Sequence, residues 1–258
     1  MENSVRFLLI ISLLFVASCG NNPTTNAHTT FDYMLALEAD EKKLLKKVVI
    51  ATVNYSKRSP SYLRNRGYKT DKRVVGYLKE NGFEVLSGNQ FDTVWSRGIE
   101  VYGDYDDPYS AKFRRDRFES ILADSLKVLK QEHGVDAVIF TDLMPRTVTF
   151  TSNTPHVTAW DGVKRRLQVR GDKRIPRSFS WAHPFHAVSV NITIFHADNR
   201  LVFSSVGGIE VIDNLDMRSG SPKVKRNKSI LSDQDLLMEG VALAFHPFIT
   251  MHDYPASR

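Results

Sequence analysis

Several short stretches have residue types and spacings that could do chemistry. Asp104, Asp106 and Asp107 crowd into YGDYDDPY. Carboxylates this close can hold Ca²⁺, but an EF-hand loop needs its turn glycine and a distal Glu at fixed spacing, and neither is in place. The stretch reads as a tight turn whose acids favour the N-terminus of a following helix. His183 and His186 lie three apart in HPFH. On a helix they could begin a zinc site, which needs three or four convergent ligands. Pro184 and the strand-like residues after it make the segment extended, so the two rings point to opposite faces. No G-x-S-x-G, S-x-x-K, P-loop or dinucleotide fingerprint is present. In SSVGGI, Ser204 and Ser205 precede Gly207 and Gly208. No helix follows at once, so the glycines read as a bulge or a close backbone approach and not as a phosphate cradle. Trp160, Asp161 and Gly162 form AWDGV, in which Asp-Gly signals a hairpin turn and the tryptophan packs beside it. These readings lead to no catalytic residue, no metal and no cofactor. The alternative is a periplasmic hydrolase built on Asp104, Asp106, His183 and His186, which would have to converge in one pocket.

The one cysteine of the 258 residues, Cys19, sits apart from all of these. Arg6 precedes an 11-residue apolar run, Phe7 to Ala17, and VASC ends it. The run has the length of a signal-peptide core and is too short to span a bilayer as a helix. VASC resembles the lipobox of bacterial lipoproteins. That resemblance implies lipidation of the Cys19 thiol, cleavage before it, and a signal peptide over residues 1–18. Two or three acyl chains would make the anchoring stable. Gly20, in place of an Asp, implies sorting to the outer membrane. Residues 19–30 then form the lipidated cysteine and a polar tether, GNNPTTNAHTT, with the composition of a linker. With no second cysteine, no intramolecular disulfide can form.

Charge is the other chemical signal. Lys and Arg number 35 against 29 Asp and Glu, a net +6. Lys164, Arg165, Arg166, Arg170, Lys173, Arg174 and Arg177 lie within KRRLQVRGDKRIPR, and a second basic segment, RSGSPKVKRNK, runs from Arg218 to Lys228. Export removes nucleic acid as the partner. The anions left are lipid headgroups and acidic envelope proteins. The first cluster is therefore the expected contact for an anionic surface or a protein partner, the competing reading being a solvated loop. Assembly with further copies of the chain stays open.

The elements that would position these residues follow from periodicity. VVIATVNY is a continuous β-branched run, as in a strand covered on both faces. Thr70 to Gly82 and Asn89 to Gly98 read as helices. The clearest helix runs from Ser110 to His133, with Phe118, Ile121, Leu122, Leu126 and Leu129 on one stripe, Ser110 or Asp107 at its start and Gly134 at its end. VDAVIFTDL follows as a strand. AVSVNITIFHA alternates, with Val188, Val190, Ile192 and Ile194 on one face, and HADNR turns it into RLVFSSVGGIEVI. A last helix follows Ser232 as N-cap. Phe31 to Lys47 reads as a short helix or the end of the tether. The order predicts an α/β fold, a mixed sheet with helices packed on it, in a single periplasmic domain over residues 31–258.

Taken in order, VVIATVNYSKRSP, YGDYDDPYSAK, DAVIF, AWDGV and SVGGIEV resemble envelope lipoproteins related to the curli-secretion lipoprotein, which are CsgG-like in fold. The resemblance spans roughly Val48 to Phe248. The resemblance implies the fold and transfers no function. The anchor, the CsgG-like layout and the missing catalytic signatures together lead to an outer-membrane-anchored periplasmic lipoprotein, a non-catalytic interaction or assembly subunit of an envelope complex. An export channel is the further alternative. Pore formation is not carried over, because the segment from Pro145 to Pro184 is rich in Arg and Lys, which lipid-facing strands tolerate poorly.

Overall fold

The computed structural model describes residues 32–55, 60–106, 112–172 and 174–251. Its centre is a six-stranded mixed sheet in the order β1-β9-β8-β4-β2-β3. The strands are β1 (Tyr33–Leu35), β2 (Lys47–Ile50), β3 (Glu84–Leu86), β4 (Ala137–Val148), β8 (Phe185–His196) and β9 (Leu201–Val211). β3, β2 and β4 run parallel, while β4, β8, β9 and β1 pair antiparallel. Two smaller sheets stand beyond one end. β5 (Val157–Trp160) and β6 (Val163–Arg166) form a hairpin, and β7 (Val169–Arg170), β10 (Asp213–Asp216) and β11 (Lys223–Arg226) form a three-stranded sheet. The helices are α1 (Ala39–Leu44), α2 (Ser61–Arg64), α3 (Gly67–Glu80), α4 (Gly88–Tyr102), α5 (Arg115–His133) and α6 (Gln234–Phe245).

The apolar pattern explains the layers. Within β2, Val48 and Ile50 enter one core with Val74 and Leu78 of α3 and Val241 and Phe245 of α6. Val49, between them, enters a second core with Phe91 of α4 and Phe118, Ile121 and Leu126 of α5. The run is apolar throughout because helices cover both sides. β8 instead alternates: Val188, Val190, Ile192 and Ile194 face α3 and α6, while Ser189, Asn191 and Thr193 face the other way. α5 ends on Gly134, whose left-handed φ of 66° suits a residue without Cβ.

The sequence expectations meet three corrections here. Phe31 to Lys47 is not simply helix or tether, since Tyr33–Leu35 pairs with Phe203–Ser205 and adds an edge strand. The last helix is capped by Asp233, whose carboxylate accepts from the backbone of Asp235 and Leu236, and not by Ser232. The long helix begins at Arg115 with no side-chain cap; Ser110 and Asp107 lie outside the described residues, as does Cys19. The rest of the expected layout, a mixed α/β fold with β2, β3, β4, β8 and β9 in one sheet, is what the chain adopts.

Candidate functional site

The AWDGV turn is the first piece of the site. Trp160 pairs with Val163, and Asp161 and Gly162 between them both have positive φ, 39° and 85°. That is the geometry a two-residue hairpin favours. The Asp161 carboxylate accepts from Ser189 Oγ and from Arg146 Nε, each at 2.6 Å, and Trp160 Nε1 donates to Ser189 Oγ at 3.1 Å. Trp160 is thus tied down as packing and is not presented as an anchor. The hairpin settles on β9 at Gly208, where a Cβ would stand 2.3 Å from Val163 Cγ2. On the opposite face, a Cβ on Gly207 would stand 2.0 Å from the Gly240 carbonyl of α6. The two adjacent glycines therefore admit one layer each, and β9 also carries a bulge against Val188 and Ser189.

The basic cluster expected over Lys164 to Arg177 is not one surface. In β6 the side chains alternate. Lys164 and Arg166 are exposed, but Arg165 points the other way, donating to the Ile209 carbonyl at 2.9 Å and to Glu239 of α6 at 2.6 Å. Its side chain is 15% exposed. The physical reason is the period of two in a strand: three consecutive cations cannot share a face. Arg165 is a structural ion pair here. Arg174 is exposed and folds back on Asp172, holding that carboxyl down to about 2. Arg177 is exposed, and Lys173 lies outside the described residues.

Arg170 belongs to a different group, which the sequence reading did not assemble. On the three-stranded sheet, Arg170, Asp216 and Lys223 stand in one cross-strand row, with Asn214 and Lys225 in the next. Asp216 is buried. It accepts two bonds from the Arg218 guanidinium, at 2.9 and 2.8 Å, one from Lys225 at 2.8 Å and one from the Arg218 backbone N–H at 3.1 Å, which keep it charged far below the usual carboxylate range. Arg170 donates to Asn227 at 3.1 Å, and Asn227 accepts from Asn214 at 2.6 Å. Four cations therefore share one face with one carboxylate. The available signal was the alternation K-V-K-R in β11, with Val224 turned inward between Lys223 and Lys225.

The Asp and His residues weighed as a catalytic set have separate partners. The Asp104 carbonyl accepts from Arg117 at 3.0 Å, and Asp106 bridges to Phe113. His183 stacks edge-on against Phe185, and His186 Nδ1 lies 2.7 Å from Asp213, which also takes Arg226 at 2.9 Å. Among the described residues, no group of three or more His, Cys, Asp and Glu could hold a metal ion. Sequence reasoning also passed over Asp71. It lies on α3 against Thr141, just past the carboxyl end of β2, and accepts a hydrogen bond from the Thr141 hydroxyl. Burial, helped by the charge of Asp142 and opposed by that bond, raises its carboxyl to about 6.

No family model matches this chain, and no curated protein does. Among solved structures, the crystal structure of lipoprotein GNA1162 from Neisseria meningitidis is similar over 74% of this chain and 90% of its own, at 13% identity and a TM-score of 0.33. No described helix is long and apolar enough to cross a membrane.

Proposed function

We propose that the chain is a lipoprotein of the bacterial envelope, held on the periplasmic face of the outer membrane through acylated Cys19, and that its CsgG-like folded part serves as a non-catalytic interaction or assembly subunit. One observation carries the reading: the cation Arg6, the 11-residue apolar run and VASC occur in that order, followed directly by a polar linker and then β1. Further support comes from where the polar side chains are spent. Asp161, Ser189, Arg165 and Glu239 lock the hairpin to the body, while the exposed basic residues lie on the hairpin's outer side and on the small sheet.

The test is replacement of the thiol. Cys19→Ala should abolish incorporation of labelled palmitate and leave either uncleaved precursor or a soluble species. A variant that still fractionates with the outer membrane, at the mass of the original protein, would overturn the reading. Crosslinking in intact envelopes, followed by identification of the attached molecules, tests the interaction role.

A further inference from the structure

We infer that the cationic face of the three-stranded β7–β10–β11 sheet is a docking surface for the headgroups of an anionic lipid bilayer. This rests on the lipid-anchor reading above and adds a second, independent contact with the membrane.

The face is built and not merely basic. Arg218 and Lys225 share the buried Asp216, so both cations are held at fixed positions. Arg170 and Lys223 flank Asp216 in the same row, one on each neighbouring strand. Adjacent strands place such residues about 5 Å apart, and next-but-one residues along a strand about 7 Å apart. The result is a group of four cations around one carboxylate. Its underside holds Leu215, which is fully buried, and Val224, which packs on the cluster of Val148, Phe150 and Phe185, beside the Asp213–Arg226 ion pair. Gly171 fits the array closely, since a Cβ there would meet Arg218 Cγ at 2.9 Å and the Arg218 backbone nitrogen at 3.0 Å. Cations spread over two outer strands and the turn after β10 match an extended negative surface better than a small anion, which would engage only one or two of the groups.

Reach allows it. Thirteen residues separate Cys19 from Tyr33, so a fully extended tether spans at most about 45 Å. β1 joins the sheet beside Ser205, and Asp216 lies eleven residues further along the chain, at most about 36 Å away at strand rise. The face can meet the bilayer that holds the anchor.

Each cation near an anionic surface contributes roughly fivefold to binding, and screening at 1 M salt, with a Debye length of about 3 Å, removes most of it. The test uses residues 20–258, which contain every described element and carry no acyl chain, in sedimentation with phosphatidylglycerol/phosphatidylethanolamine vesicles and with phosphatidylcholine/phosphatidylethanolamine vesicles. The expected result is binding to the anionic vesicles at low salt, lost at 1 M, and none to the neutral ones. Arg170→Gln with Lys223→Gln should weaken binding roughly 30-fold. Both leave Arg218 and Lys225 on Asp216, and an unchanged thermal midpoint confirms the fold. Lys164→Gln with Arg166→Gln, on the hairpin, should leave binding within about twofold, since those side chains lie outside the array. Equal binding to both vesicle types overturns the inference, as does binding by the Arg170/Lys223 variant at the original strength, or equal loss in both variants. So does failure to bind vesicles while an acidic protein is captured through Lys223 or Lys225. Palmitate labelling at Cys19 in the full chain is read separately, so failure of the anchor and failure of this face are distinguishable.

Discussion

Arg165 and Arg166 are neighbours of the same chemical type with opposite fates. Arg165 donates to the Ile209 carbonyl and to Glu239, in surroundings that leave little of either charged side chain in water. Removing one partner of such a pair strands the other. Arg165→Gln should cost about 2–3 kcal/mol in denaturant unfolding, whereas Arg166→Gln should stay within about 0.5 kcal/mol. Equal, small effects would show that Glu239 finds another partner or water. Asp71 makes a second case at this scale, where pH is the lever. Its carboxyl is raised to about 6 by burial, so between about pH 4 and 6 the folded chain holds a proton that the unfolded chain has lost. The stability this group allows is complete below about pH 4 and falls as pH rises through 6, a loss of about 2–3 kcal/mol. Asp71→Asn keeps an oxygen for the Thr141 hydroxyl and carries no charge. It should therefore raise stability at pH 7.5 by about that amount and flatten the slope between pH 4 and 6. A slope unchanged by the substitution would remove Asp71 as its source. Neither behaviour was legible in the sequence. The run KRR shows charge but not register, and TDKR looks like any exposed first turn until β4 lies against it.

Elements were more legible where periodicity is long. The α5 stripe and the alternation of β8 can be read directly, because each repeats enough times for one face to stand out. β1, β7, β10 and β11 have two to four residues each, too few to show a period, and they exist through pairing with distant strands. The pair Gly207–Gly208 is a close backbone approach, and the bulge falls just after it, at Ile209, which has no partner between Val188 and Ser189. What the sequence does not show is which partner each glycine admits. Gly207→Ala would set a methyl 2.0 Å from the Gly240 carbonyl and 2.7 Å from the Ala244 nitrogen, both backbone atoms that move only if α6 moves. A loss of about 3 kcal/mol or more is expected from this overpacking. Gly76→Ala, in the interior of α3 with nothing within 4 Å, should gain about 0.5–1 kcal/mol. Thermal unfolding of the two variants separates the cases, and a destabilised Gly76→Ala would contradict the open space seen there.

For the whole molecule, the parallel half of the sheet is closed by helices on both faces, and the antiparallel half closes only one of its faces that way. The hairpin and the small sheet gather beside this second half, past the reach of β1 along β9. β1 covers Phe203 to Ser205 and stops. Further along β9, the Gly208 N–H donates to the Asp161 carbonyl at 2.7 Å, and the Ile209 carbonyl takes the Arg165 guanidinium. An open strand margin is a template on which another chain can add a strand of its own, the first step of many aggregates. Here that template is occupied by one peptide carbonyl and one charged side chain. On the lipid-anchor reading proposed above, copies held in two dimensions meet far more often than dissolved ones, and at Gly208 and Ile209 an incoming strand meets a backbone N–H and a carbonyl that are already paired.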